Sequence, residues 1–331
     1  MRSEDKKQNI LRVITIILAI VFFISAALFV LDLWEKRQGV YTGSQWNATD
    51  ETFVLNGTEY EKKSNLKTYL VMGLDTYEGT NEPESYNNDR QADFIVLMVL
   101  DDQDKTCSLL QINRDTMTEM NILGVAGDKI GTVTKQIALA HTYGNGKEVS
   151  CRNTANAVSK LLGGISVDHY LSVTLDAVGT FADLVDGVEV TVLDDFGEID
   201  KTLIKGQSVT LRGEHALHYV RSRYGLEDSS NESRMARQRQ FLEALYKKTH
   251  LCMEQDEAFA SKTGLKMSEY IVSDQTVNQL EDLLAKVATY ELTKIYTFDG
   301  ETTVGETHIE FYPDKTSVQQ IAAELFYQPK Q

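Results

Sequence analysis

The chain has little that would stiffen or cross-link it: its 331 residues include three prolines and three cysteines. With so few prolines, no Pro- or Ser-rich linker divides the chain into separately mounted domains. The cysteines, Cys107, Cys151 and Cys252, are odd in number, so at least one thiol is left free or pairs with another chain. No Cys-x-x-Cys or His-rich spacing suggests zinc, and small core residues are the plainer reading. Positive charge is also scarce, with 33 Lys and Arg against 49 Asp and Glu and a net charge of -16. That argues against a general nucleic-acid binder, which needs a basic face to displace counterions from phosphates. Any anionic ligand has to be met by local clusters of cations.

What is present is enough apolar residue, 42%, for one large core or two modest ones. The run Val13 to Leu31 is nineteen residues without a charge, about the length that spans a hydrocarbon core. Arg2, Lys6, Lys7 and Arg12 precede it and Asp32 and Glu35 follow, so the positive-inside rule puts the N-terminus in the cytoplasm and the rest outside. A cleaved signal peptide is the rival, but after Ser25-Ala26-Ala27 the apolar run continues through Leu28-Phe29-Val30-Leu31. The expectation is a single-pass protein of the cell membrane, anchored in the lipid bilayer, with a cytoplasmic tail (1–12), a transmembrane helix (13–34), an extracellular stalk (35–65) and one domain (66–331). Asn56-Gly57 suggests a short hairpin within the stalk.

From Tyr69 to Leu74 a nearly continuous apolar run ends at Asp75, which predicts a buried strand. Phe94–Leu100 and Ser108–Ile112 are two more, joined by a polar turn into a predicted hairpin. Thr154–Leu162 has helical spacing, with Thr154 as its N-cap and Gly163-Gly164 as its stop. Tyr170–Val173 and Val188–Leu193 follow as strands around a helical Thr174–Val185, and then Arg212–Tyr219 and Arg234–Thr249 as helices. Ser268–Ile271, Gln275–Tyr290 and Thr316–Leu325 read as helical pieces, and Glu306–Tyr312 as an alternating strand. Strands alternating with helices place the domain in the α/β class, expected here as a single three-layer α-β-α domain around a central mixed sheet.

Of the twelve arginines, six fall in three windows: Arg114; Arg221 and Arg223; Arg234, Arg237 and Arg239. Arg114 follows a strand directly, at the carboxyl end where open α/β sheets bind ligands. Arg221 and Arg223 would point to one side of an extended chain. Arg234, Arg237 and Gln238 share a helical face at a helix start, a suitable cradle for phosphate. Taken alone each window also fits an ordinary surface or an internal ion pair; their co-occurrence is what suggests a pyrophosphate, which needs several convergent guanidinium groups. Asp75 and Asp93 end and begin neighbouring strands, so both would meet at one rim, where paired carboxylates beside phosphate are the usual protein share of a magnesium site. The loop Thr76–Arg90 between them is a lid or a solvated loop.

These windows, in this order, resemble the LytR-CpsA-Psr family of cell-wall glycopolymer transferases. The resemblance covers about Tyr69 to Phe241 and rests on Gly73-Leu74-Asp75, Ala92-Asp93, Arg114-Asp115-Thr116, Val167-Asp168-His169-Tyr170, Val185-Asp186-Gly187-Val188, Gly213-Glu214-His215-Ala216-Leu217, Tyr219-Val220-Arg221-Ser222-Arg223 and Arg234-Met235-Ala236-Arg237-Gln238. It implies an undecaprenyl-pyrophosphate-linked glycan as one partner, its tail in an apolar tunnel, and peptidoglycan as the other, with transfer of the polymer to a sugar hydroxyl. By position it implies Mg2+ on Asp75 and Asp93, and a pyrophosphate held by Arg114, Arg221, Arg223, Arg234 and Arg237 with Gln238 as a polar neighbour. Arg114 would stabilise the departing pyrophosphate, and Asp93 is the first choice to accept the hydroxyl's proton.

The departures are specific. Gln91-Ala92-Asp93 stands where Arg-Ser-Asp is common, with Arg90 one residue early and so turned to the other face of a strand. Asn113 replaces a proline before Arg114, and the family's Lys-x-Asn falls on Gln136 and Ala138, with Lys135 one place off. Two alternatives therefore stand beside the transferase: a non-catalytic surface module binding polyprenyl phosphates or glycans, and a polyprenyl pyrophosphatase. A cytoplasmic tail of about ten residues leaves no room for a DNA-binding domain, so no nucleic-acid partner is expected.

Overall fold

The structure is a computed structural model that describes residues 51–55, 57–76 and 90–330. The tail, the transmembrane helix and the first part of the stalk expected from the sequence lie outside the described residues, as does the loop 77–89. Among the described residues no helix is long and apolar enough to cross a membrane. What is described belongs to one unit, Thr42–Gln331.

The described chain opens with a hairpin, β1 (Thr52–Leu55) and β2 (Thr58–Lys62), turning through Gly57 at φ +82°, a value that favours a residue without Cβ. Next come β3 (Leu66–Leu74), β4 (Ala92–Asp101) and β5 (Thr106–Ile112), each antiparallel to its neighbour. Their runs are apolar on both faces because both faces are covered: Leu70, Leu97 and Leu110 have no exposure. A second hairpin, β6 (Met117–Leu123) with β7 (Lys129–Gln136), stands apart from this sheet.

Helix α1 (Glu148–Leu161) starts six residues before the predicted cap. Thr154 lies inside it and donates its hydroxyl to the Ser150 carbonyl at 3.1 Å, a bond that satisfies a threonine in mid-helix. The predicted stop holds: Gly163 and Gly164 adopt φ +68° and +98° and donate to the carbonyls of Lys160 and Ser159. Strand β8 (His169–Thr174) then lies parallel to β3, and α2 (Asp176–Leu184) leads to a hairpin of β9 (Val188–Thr191) and β10 (Ser208–Leu211).

Two helices follow, α3 (Gly213–Arg221) and the long α4 (Asn231–Gln255), which starts on Ser230, whose hydroxyl accepts from Ser233 N. They pack with α2, β9 and β10 around Phe196 and Tyr219, both inaccessible, as one apolar cluster. Helix α5 (Phe259–Met267) is followed by a single 3-10 turn over Ser268–Tyr270, where a helical piece was expected, and then by the short edge strand β11 (Ile271–Ser273). The capping box of Thr276 and Gln279 opens α6 (Val277–Val287). Strand β12 (Glu291–Tyr296), the hairpin β13 (Gly300–Val304) with β14 (Ile309–Pro313), helix α7 (Lys315–Phe326) and β15 (Tyr327–Pro329) complete the chain.

The central sheet runs β11-β8-β3-β4-β5-β12 and is mixed, with β3–β8 and β5–β12 parallel and the other pairs antiparallel. Helices lie on both sides of it. Cys151 of α1 donates to the Ser172 hydroxyl, while Leu171 and Val173, pointing the opposite way, face a cavity shared with α4, α5 and α6. Strand β2 also pairs with β15, so the hairpin within the expected stalk is fastened to the domain.

Candidate functional site

The site begins with an irregularity in the sheet. Gly73 opposes Phe94 and Leu74 opposes Ala92, which leaves Asp93 as an extra residue in β4. Such a bulge breaks the alternation of a strand. As a result Asp93 and Phe94, consecutive in sequence, line the same cavity. Gly73 makes room for it: a Cβ there would stand 2.9 Å from Cβ of Phe94. Just beyond, Asp75 N donates to the Gln91 carbonyl at 3.4 Å, and Asp75 lines the cavity too. Both acids thus stand at one rim.

Guanidinium groups converge on them. Arg114, at the end of β5, donates through Nη1 to Asp93 and through Nη2 to Gln91 Oε1 at 2.6 Å. Nη1 of Arg234 is 3.5 Å from the other Asp93 oxygen. Arg221 reaches Asp75 Oδ1 with Nη2 at 2.9 Å and Nε at 3.2 Å. Arg221 is the last residue of α3, not part of an extended pair with Arg223 as expected; Arg223 follows it in the loop to α4. Burial pushes Asp115 up, against the pull of Arg114, Arg223 and Arg234; of these, Arg114 stands nearest, its Nε 3.5 Å from Asp115 Oδ1. Burial also lowers Arg234, and the charges of Arg114 and Arg223 lower it further while Asp93 opposes them. Crowded, partly buried guanidinium groups favour an incoming anion.

Arg237 is turned away from the rim, while Gln238 borders the cavity as the expected polar neighbour. Arg237 is fully buried and binds Asp194 Oδ2 through Nη1 at 2.6 Å, the Tyr219 carbonyl through Nε at 3.0 Å and the Ser222 carbonyl through Nη2. Its guanidinium therefore fixes the backbone on either side of Arg221. Gln238 donates to the Val220 carbonyl at 3.1 Å and accepts from Gln111 at 3.0 Å, although its side chain also borders the cavity. Helical periodicity could not separate Arg237 from Arg234, because its partner Asp194 sits in an unpatterned loop 43 residues away in sequence.

The departures from the family pattern fill structural positions. Asn113 Oδ1 accepts from Asp115 N at 2.9 Å and from Asn231 Nδ2 at 2.7 Å, and Asn231 Oδ1 accepts from Arg234 Nη2 at 2.6 Å. An asparagine pair thus ties the end of β5 to the start of α4 and holds Arg234. Gln136 donates to Asp115 Oδ1 at 2.7 Å and to the Ile309 carbonyl, Ala138 is buried, and Lys135 is exposed. At the other departure, the Arg90 carbonyl is held by His141 Nδ1 at 2.7 Å.

From the rim a cavity of about 370 Å³ runs inward. Beyond Asp75, Asp93, Arg221 and Arg234 its wall is almost wholly apolar, including Val71, Leu171, Val173, Phe241, Leu242 and Leu283. An anion-binding mouth on an apolar cavity suits a ligand with a charged head and a hydrocarbon tail. Among the described residues no cluster of three or more His, Cys, Asp or Glu is arranged to hold a metal ion. Two carboxylates on one rim do fit magnesium in donor chemistry, since that ion takes one or two carboxylates and completes its shell with water and phosphate oxygens.

The model of the LytR_cpsA_psr family matches residues 36–326. The polyisoprenyl-teichoic acid–peptidoglycan teichoic acid transferase TagV of Bacillus subtilis is 25% identical over 301 residues, 84% of this chain and 71% of TagV. TagU of Bacillus licheniformis, named for the same transfer, is 26% identical over 250 residues, 75% of this chain and 73% of TagU. The solved structure of B. subtilis TagT is similar in fold, with a TM-score of 0.58 at 22% identity over 85% of this chain and 97% of that one.

Proposed function

The chain belongs to the LytR-CpsA-Psr family, and from that premise we propose that it transfers a cell-wall glycopolymer from a polyprenyl-pyrophosphate carrier to a sugar hydroxyl of peptidoglycan. One observation carries the reading: Arg114, Arg221 and Arg234 contact two aspartates, Asp75 and Asp93, at the mouth of an apolar cavity, and Arg223 lies two residues past Arg221. The names of the Bacillus relatives, which describe transfer of polyisoprenyl-linked teichoic acid to peptidoglycan, agree with it.

In this reading the tail of the carrier lies between the central sheet and α4–α6, out of water. Arg114, Arg223 and Arg234 hold the pyrophosphate and neutralise the charge that grows on it as the bond to the sugar breaks. Arg221 closes the rim on the side of Asp75. Arg237 takes no part in holding the ligand and keeps the Arg221–Arg223 segment in place. Asp75 and Asp93 would hold Mg2+, which when bound supplies further neutralisation of phosphate charge. The membrane anchor at 13–34 would keep the domain at the outer surface, where carrier and wall meet.

The test is to supply a polyprenyl-pyrophosphate-linked glycan, a peptidoglycan oligosaccharide and Mg2+ to the protein and follow the glycan by mass. Glycan joined to the oligosaccharide supports the reading. Release of glycan phosphate together with polyprenyl phosphate would make the chain a pyrophosphatase, and an unchanged carrier would leave a binding module.

A further inference from the structure

The loop between α3 and α4 carries a feature that the pyrophosphate site does not use. Tyr224 follows Arg223 directly and is 77% exposed. A single exposed aromatic ring is common and means nothing by itself. Here, however, the ring is held. Arg223 lies over one face, its guanidinium carbon 4.7 Å from the ring centroid, and its Nη2 donates to the Tyr224 hydroxyl at 2.5 Å. Three residues before the ring, Arg221 reaches Asp75 at the rim with Nη2 at 2.9 Å, so the loop that carries Tyr224 leaves directly from the mouth of the cavity.

The backbone around it is fixed as well. Two residues before, the Ser222 carbonyl accepts from the buried Arg237. Two residues after, Leu226 is buried in the apolar cluster of α2–α4. Between them Gly225 takes φ +87°, and this left-handed turn lets Tyr224 face out while Leu226 faces in. One ring face is therefore covered by a cation and the other is open to solvent, with little freedom left to lose on contact. Rigid tyrosines presented this way give contact area at low entropic cost.

We infer that the open face of Tyr224 is a stacking platform for a pyranose ring of the saccharide that reacts at this site; the inference rests on the transferase reading above. The face of a sugar is a sheet of C–H bonds with partial positive charge, which complements the negative face of an aromatic ring. The saccharide comes either from the carrier or from the acceptor strand, and both must pass within reach of the leaving pyrophosphate.

The experiment compares Tyr224→Ala and Tyr224→Phe with the unaltered protein. It measures binding of a bare polyprenyl pyrophosphate, binding of the same carrier bearing a saccharide, and the KM for a peptidoglycan oligosaccharide. If the donor sugar stacks, Tyr224→Ala weakens the loaded carrier by about threefold to tenfold and leaves the bare carrier unchanged. If the acceptor stacks, it raises the KM for the oligosaccharide by a similar factor with both carriers unaffected. Tyr224→Phe retains most of the wild-type value in either case: it loses the hydroxyl bond to Arg223 but keeps the ring, still covered by that guanidinium, which makes the contact. Equal weakening of bare and loaded carrier, loss in Tyr224→Phe equal to that in Tyr224→Ala, or no change in any of the three would each overturn the platform. Failure of the unaltered protein to bind either carrier would overturn the transferase reading itself, and the platform with it.

Discussion

Arg237 and Asp194 form an ion pair 2.6 Å long in which the arginine has no exposure to solvent. Removing one member of such a pair leaves an uncompensated buried charge, and Arg237 also holds two carbonyls. Arg237→Ala is therefore expected to destabilise the domain by about 3–5 kcal/mol, read from the midpoint of denaturant unfolding. Replacing both residues by apolar ones of similar volume should recover much of that loss. A single variant as stable as the wild type would show that the pair contributes nothing.

Arg114 donates to Gln91 and Asp93 from its two terminal nitrogens at once, a geometry that a lysine cannot reproduce. Arg114→Lys is expected to weaken binding of an isoprenoid pyrophosphate about tenfold or more, almost as much as Arg114→Ala. Calorimetric titration measures both. Wild-type affinity in the lysine variant would mean that charge alone is needed there.

The apolar wall makes a separate prediction. Leu171 faces the cavity from the middle of β8, so Leu171→Trp should fill part of it. Affinity for a long-chain polyprenyl pyrophosphate should fall, while that for a short-chain one, which occupies only the mouth, should hardly change. Parallel loss for both chain lengths would remove the tail from this cavity.

His141 offers a test by pH. Burial pushes its imidazole down to about 4; the bond to the Arg90 carbonyl opposes that shift and the charge of Arg90 adds to it. In the unfolded chain the ordinary value is about 6.5, so between about 6.5 and 4 the unfolded state binds a proton that the folded state does not. The histidine's contribution to stability is thus fully present above that window and is lost as pH falls through it. Its share of the slope is at most about 1.4 kcal/mol per pH unit. Unfolding midpoints of His141→Gln measured across this window should fall less steeply than those of the wild type.

Much of the site was legible because it sits where strongly patterned segments end. Two apolar runs ending in Asp75 and beginning after Asp93 imply a shared rim, and Arg114 directly after a third run implies a place at a strand's end. What could not be read depends on contacts distant in sequence. Asp93 faces the cavity through a bulge, which requires knowing the partner strand. Arg237 looked equivalent to Arg234 until its partner Asp194 was located. Arg221 closes a helix because α3 runs two residues further than its spacing suggested. The hairpin of β6 and β7 mixes apolar and polar residues, with Met120 inaccessible and Ile130 70% exposed, so no regular alternation announces it.

Strand β15 lies against β2, Lys63 N donates to the Phe326 carbonyl, and Lys330 N donates to the Glu59 carbonyl. The first two and the last of the described strands thus share one small sheet, separate from the one that bears the cavity. A pull on the segment before β1 would have to separate β1 from β2 before it reached β3 and the central sheet. The small sheet thus stands, along the chain, between the N-terminal segment and the strand that ends at Asp75.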